Sequence, residues 1–172
     1  MAYKERKEIY SKIEKIRNRP LLVYVTSLKQ GIQVMMAQDV IVEIIRHINL
    51  IESNNKGIDV LIISTGGDPI VSLRINNMLR DRYKKIGVMI PYIAYSAATL
   101  LAIGADEIIM HPYANLGPVD PQLVVPKPNQ PPMIFAYEDI KKYVEFVKDI
   151  GISDQELMQK SFELLTTIIC EK

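Results

Sequence analysis

The sequence predicts an α/β protein built on a mostly parallel sheet with helices on both faces. Three observations predict it. Short apolar runs of strand length, at 21–26, 58–64 and 86–90, alternate with longer stretches whose apolar residues recur at helical spacing. The first of those runs, LLVYVT, is continuously apolar rather than alternating, as a strand buried on both faces is. Turn residues such as Asn54, Gly57, Gly66 and Gly67 separate the elements. Strands alternating with helices are the pattern of parallel crossover units.

Each element has its own reason. Tyr3–Arg17 reads as a basic amphipathic helix with Ile9, Ile13 and Ile16 on one face, ended by Asn18-Arg19-Pro20. Its isoleucine stripe is expected to pack on the domain or a neighbouring subunit, and the helix also offers peripheral contact with an anionic membrane surface. Leu21–Thr26 is the first strand. After a loop with Gly31, Asp39–Glu52 is a helix carrying Val40, Ile41, Ile44, Ile45 and Ile48. The turn at 53–57 leads to the strand Ile58–Ser64. Gly66-Gly67 makes a tight turn, Asp68 is an N-cap and Pro69 opens a helix that runs to Tyr83. Strand Ile86–Ile90, helix Ala97–Gly104, strand Glu107–Met110 and a short strand Leu116–Val119 follow. Six prolines then crowd 118–132, and 118–136 reads as an extended surface arm. Helices Tyr137–Asp149 and Asp154–Cys170 close the chain, which is expected to be one domain over 1–172, with 1–19 an N-terminal helix and 137–172 a helical tail.

Composition removes several classes of function. In 172 residues, 21 Lys and Arg against 20 Asp and Glu leave a net charge of +1, which argues against nucleic-acid binding through bulk positive charge. With 48% hydrophobic and 24% charged residues the chain is no disordered tract. The lone Cys170 excludes a disulfide framework and a multi-cysteine zinc site, and fits a reducing compartment. No apolar leader opens the chain, and a cytoplasmic location is expected. The 20 residues Ile86–Ala105 carry no charge and match a membrane span in length. Gly87 and Pro91 break that run, however, and it reads as a buried strand followed by a helix.

In such a sheet, sites gather at the carboxyl ends of strands. Two segments there carry chemistry: Ser64-Thr65-Gly66-Gly67-Asp68-Pro69, and 92–99 with Ser96. A Gly-Gly turn exposes amides that can hold a phosphate or an oxyanion, although it is also an ordinary strand-to-helix turn. No Gly-Lys-Ser/Thr follows, so it is not a Walker loop. Ser96 stands where a strand meets a helix, a position that suits an N-cap and equally a nucleophile next to the free Ala97 N–H. It is not the Gly-x-Ser-x-Gly elbow, because Ala94 and Ala98 occupy the glycine positions.

STGGDP at 64–69, AYSAATLLAIGADEIIM at 94–110 and NLGPVDPQ at 115–122, in that order and spacing, resemble the serine dehydrogenase proteinase family. That family belongs to the Clp-protease/crotonase-like superfamily, with signal peptide peptidase A and the proteolytic subunit of Clp. The resemblance spans about Leu21 to Leu123. It implies a fold of strand-strand-helix units, self-assembly into rings or smaller oligomers, and hydrolysis of peptide bonds by a serine. Ser96 matches the nucleophile, Gly67 with Gly66 before it matches the oxyanion turn, and the Ala97 N–H is the second donor. No cofactor or metal is implied.

Ala97 and Ala98 depart from relatives that place glycines after the nucleophile, and their methyl groups are expected to narrow the approach of substrate. The base is the larger gap. His47 reads as a helix-surface residue. His111 follows the strand after the Ser96 helix, and the place of the Clp-type histidine falls near Val119-Asp120, where neither residue can serve. A Ser-His-Asp triad is therefore not supported, and a serine–lysine dyad, whose lysine must be desolvated to act as a neutral amine, is the better expectation. Lys141, near the start of a helix, is the expected partner among Lys127, Lys141, Lys142 and Lys148, with His111 the lesser candidate. Three readings follow: an ATP-independent serine hydrolase acting on peptides or proteins as a homo-oligomer; a non-catalytic assembly module of the same fold; and a crotonase-like acyl-thioester enzyme, for which no adenine pocket or nearby carboxylate is evident.

Overall fold

The structure, a computed structural model, describes residues 3–29, 31–32, 34–51, 57–120, 122–127, 130–149, 151, 153, 155–156 and 159. The chain divides into two compact units, Met1–Val119 and Asp120–Lys172. The boundary falls inside the proline-rich stretch that reads, from sequence, as an arm of a single domain.

In the first unit the elements run α1 (Tyr3–Arg17), β1 (Leu21–Val25), α2 (Val40–Leu50), β2 (Gly57–Ile63), α3 (Pro69–Arg82), β3 (Lys85–Ile90), β4 (Ile93–Ala94), α4 (Ala97–Ile103), β5 (Glu107–Met110) and β6 (Asn115–Leu116). Four strands form a parallel sheet in the order β1-β2-β3-β5. Side chains alternate across a strand, so Ile58, Val60 and Ile62 of β2 share a face with Ile86, Val88 and Ile90 of β3. That face is buried in a core completed by Ile41, Ile44 and Ile48 of α2, Val71, Ile75 and Leu79 of α3, and Ala97, Ala98, Leu101 and Ala102 of α4. The alanines of α4 let its backbone approach the core closely. The uncharged run 86–105 is divided among β3, β4 and α4, and among the described residues no helix is long and apolar enough to cross a membrane.

The opposite face is different. Asp59, Gly87 and Glu107 stand in one row across β2, β3 and β5. Because Gly87 has no side chain, the Arg17 guanidinium passes over it: Nε donates to Asp59 Oδ2 at 2.8 Å and Nη2 to Glu107 Oε2 at 2.8 Å. Arg19 Nη1 adds bonds of 3.1 Å to Asp59 and 3.2 Å to Glu107. A Cβ on Gly87 would lie 2.3 Å from Asp59 Oδ1. Asp59 is fully buried, so the pairing is what makes its charge tolerable. Hydrogen bonds to Asp59 and then to Glu107 push Arg17 further up from its already high pKa, and Arg17 in turn holds Glu107 below the usual carboxylate range.

Several sequence expectations change. β1 is not buried on both faces: it is the sheet edge, with Leu22 buried and Val25 exposed. Within one chain the isoleucine stripe of α1 is only partly covered: Ile13 is half-buried, while Ile9 and Ile16 are exposed, Ile16 at 83%. In α2 the residue Asp39 is the cap rather than the first helical position, and Ile45 faces out. The strand expected at Leu116–Val119 is the shorter β6, which starts one residue earlier and shares only Leu116 with it. The Asp68 cap and Pro69 at the first turn are as expected, with Asp68 Oδ1 accepting from Ile70 N at 2.8 Å.

In the second unit the expected arm is a hairpin of β7 (Gln122–Lys127) and β8 (Gln130–Ala136), followed by α5 (Tyr137–Asp149). The hairpin register shifts between Val125 and Lys127, at Pro126, which has no N–H for the ladder. Most of the helix expected at 154–170, Cys170 included, lies outside the described residues.

Candidate active site

Beyond Ile63 the chain leaves the main sheet and pairs with β4. Ser64 N donates to Ile93 O at 3.1 Å and Tyr95 N donates to Ser64 O at 3.0 Å. This pairing brings the diglycine corner against the Ser96 turn. A Cβ on Gly66, whose φ is +99°, would lie 2.5 Å from Tyr95 O and 2.8 Å from Ser96 Cβ. A Cβ on Gly67, whose φ is +150°, would lie 2.3 Å from Met36 O. Only glycine fits either backbone shape and either gap.

The hydrogen bonds of the corner engage some of its amides and not others. Gly66 N donates to Ser64 Oγ at 3.1 Å. Met36 N donates to Gly66 O and Asp68 N donates to Met36 O, both at 2.8 Å. A planar trans peptide points its N–H opposite to its C=O. With Gly66 O held by Met36, the Gly67 N–H therefore points away from Met36, and among the described residues it finds no acceptor. The Gly66 N–H is already spent, so this residue contributes clearance rather than a donor.

Ser96 has φ +51° and ψ −120°, a region that non-glycine residues avoid, and its side chain makes no cap hydrogen bond. An ordinary N-cap has extended backbone and uses its oxygen on the helix amides; Ser96 does neither. Ser96 is half-buried. The N–H of Ala97, the first residue of α4, likewise finds no acceptor among the described residues. A strained serine whose hydroxyl makes no cap bond thus lies against Gly66, with two amides unpaired among the described residues in the segments that flank the contact.

Residues 3–168 match the family of ClpP-like SDH-type serine proteinases. The chain belongs to that family. Two uncharacterized proteins of Methanocaldococcus jannaschii are each 42% identical to it, over 81 and 69 residues, covering 47% and 40% of this chain. The chain spans about a quarter of the length of these curated relatives, the matches covering 27% and 24% of them. The fold is also that of the 1510-N membrane-bound stomatin-specific protease. One structure of it, a serine-to-alanine variant, superposes with a TM-score of 0.52 at 17% identity, covering 77% of this chain and 63% of that one. A second, a lysine-to-alanine variant in complex with a substrate peptide, gives 0.50 at 20% identity, covering 77% and 60%.

Other residues of this SDH-type chain fall as follows. Ala97 and Ala98 are 1% and 0% exposed and belong to the core, so their methyl groups do not stand in the approach to Ser96. His111 is exposed at the end of β5; its Nδ1 accepts from Tyr113 N at 3.3 Å, its ring tilts on Tyr113 at 5.3 Å, and no hydrogen bond joins it to Ser96. His47 is an exposed residue of α2 whose Nδ1 lies 2.7 Å from Glu43 O. Lys141 is an exposed residue of α5, in the second unit. Among the described residues no group of three His, Cys, Asp or Glu side chains is placed to hold a metal.

Sequence reasoning missed two contributors: Met36, which holds Gly66 O and so orients the Gly66–Gly67 peptide, and Thr99, whose buried Oγ1 lies 2.7 Å from Ala94 O and 3.1 Å from Gly117 O; Ser64, inside the segment singled out from sequence, takes the Gly66 amide. Only Thr99 left a signal, a small hydroxyl residue one turn into the helix after Ser96. Met36 lies in a loop with no pattern.

Proposed function

We propose that the chain is a serine peptidase that cleaves peptide bonds through Ser96 without ATP. The observation that carries this reading is the conformation of Ser96, with its left-handed φ, its uncapped hydroxyl and its contact with the diglycine corner. The Ser96 oxygen attacks the peptide carbonyl carbon while its proton passes to a base. The carbonyl oxygen becomes an oxyanion that accepts from the N–H groups of Gly67 and Ala97. The C–N bond then breaks, and the amine leaves with the proton returned by the base. Water hydrolyses the Ser96 ester by the same steps, releasing the acid and the free serine.

For the base the reading takes a lysine, Lys141, over His111, whose ring is engaged with its own turn at Tyr113. A serine–lysine dyad is consistent with the complex of a lysine-to-alanine variant of the stomatin-specific protease with a substrate peptide; that complex also supports a peptide or protein as the substrate class. Self-association is part of the proposal and is supported by Ile140, Tyr143 and Phe146, exposed on α5.

A fluorophosphonate probe tests the reading. Wild-type protein is expected to be labelled on Ser96, and Ser96→Ala is expected to lose all labelling while keeping its unfolding transition. Lys141→Ala is expected to slow labelling by at least about 100-fold. Absence of labelling in the wild type under every condition tried overturns the peptidase reading in favour of the non-catalytic assembly module, and retention on a coenzyme A resin would favour an acyl-thioester site.

A further inference from the structure

We infer that Thr99 is the positioning residue of the Ser96 turn, fastening it so that the strained serine keeps its reactive geometry; the inference rests on the reading of Ser96 as nucleophile. A non-glycine residue at φ +51° and ψ −120° persists only where its surroundings over-determine it. Three backbone bonds hold the segment: Tyr95 N to Ser64 O at 3.0 Å, Ala98 N to Tyr95 O at 3.0 Å and Leu100 N to Ser96 O at 3.1 Å. Any residue types would supply these.

The Thr99 hydroxyl is the side-chain group in this set. Thr99 is 4% exposed, and its Oγ1 faces two carbonyls, Ala94 O at 2.7 Å and Gly117 O at 3.1 Å. A hydroxyl has one hydrogen, and the shorter contact makes Ala94 its main acceptor. Ala94 O also accepts from Gly117 N at 3.0 Å. Two donors thus hold the carbonyl two residues before Ser96, one of them from three residues after it. The bond from Thr99 to Ala94 closes a ring of chain with Ser96 inside it, and the reach to Gly117 ties that ring to the segment after β6. Without the hydroxyl, the peptides on either side of Ser96 gain freedom to rotate toward an unstrained φ, and Ser96 leaves its place against Gly66.

Thr99→Val keeps the shape and removes the hydroxyl, whereas Thr99→Ser keeps the hydroxyl and removes the methyl. Probe labelling rates are compared well below the unfolding temperature of each variant, so that only folded molecules react. Amide hydrogen exchange at Ala98 and Leu100 is followed in parallel. The expected result is a 10- to 100-fold slower rate for Thr99→Val, a rate within about threefold of wild type for Thr99→Ser, and faster exchange in the valine variant alone. A valine variant labelled as fast as wild type overturns the inference and leaves the peptidase reading standing. If wild type itself is not labelled, the peptidase reading fails and exchange decides: faster exchange in Thr99→Val than in Thr99→Ser supports the fastening role, and equal exchange overturns it.

Discussion

At the amino ends of the strands, Gly87 stands between Asp59 and Glu107; at the carboxyl ends, Gly66 and Gly67 stand between Met36 and Ser96. Both places need glycine because a Cβ would collide with a neighbour, yet the neighbours differ. Around Gly87 the cleared space is filled by the Arg17 guanidinium, and every charge has a partner. Around Gly66 and Gly67 the cleared space is bordered by a serine in a costly conformation, and among the described residues the Gly67 and Ala97 amides have no acceptor. A protein keeps unpaired amides and backbone strain where something else binds. The amino end therefore reads as a staple that ties α1 to the sheet, and the carboxyl end, under the proposed peptidase function, as the place for an incoming carbonyl.

Substitutions at the two ends should separate stability from reactivity. The largest effect is expected from Gly67→Ala, which places a methyl group on Met36 and forces φ +150° on an alanine: probe labelling should fall by at least about 100-fold, the loss typical of an oxyanion donor moved out of place. Wild-type labelling in this variant would break the contrast between the ends. Next, Asp59→Ala leaves Arg17 and Arg19 facing Glu107 alone. It should lower unfolding free energy by about 3 kcal/mol in urea titrations, the low end for a broken buried pair because both arginines remain partly in water, with labelling per folded molecule unchanged. Gly87→Ala, whose methyl would meet Asp59 Oδ1, should cost about 1–3 kcal/mol and likewise spare the labelling rate.

The smallest effect concerns pH. Arg17 holds Glu107 below the usual carboxylate range, and Arg80, helped by the Ile86 amide, does the same for Asp106. Both groups bind their proton less tightly when folded. Their contribution to stability is therefore complete above the unfolded carboxylate pKa of about 4 and is lost as pH falls through the lower folded values. Urea midpoints measured stepwise down from pH 6 should decline most steeply below about pH 4.5, and Glu107→Gln should flatten that decline. An unchanged slope in the glutamine variant would remove Glu107 from the staple's acid response.

Parts of this arrangement were legible in the chain. The Asp68-Pro69 helix start, α1 at Tyr3–Arg17, β5 at Glu107–Met110 and α5 at Tyr137–Asp149 follow from local periodicity and capping chemistry, and they fall where the pattern puts them. The edge position of β1 was not legible, because an apolar pentapeptide looks the same at the edge or in the middle of a sheet until strand order is known. The hairpin at 122–136 was hidden by its prolines, which suggest an arm without ladder bonds. The row of Asp59, Gly87 and Glu107 was invisible because its members come from three strands and its guanidinium from α1. At the site, Ser96 and the diglycine stood out as residue types; Thr99 left only a small hydroxyl one turn into the helix, and Met36 left nothing, since their contribution is where a hydroxyl and a backbone N–H are aimed.

Local order was thus written in the chain itself: which segments are helices and strands, where the Gly-Gly corner interrupts them, and the motifs that tie residues 64–122 to a serine proteinase family. Side-chain periodicity and turn chemistry act over a few residues, so they can be read without a partner. Which amides stay unpaired, which hydroxyl leaves its cap unmade and which glycine yields its space to a guanidinium were decided only when distant strands came into register. Hydrogen-bond saturation and steric clearance belong to pairs of segments, and no single segment carries them.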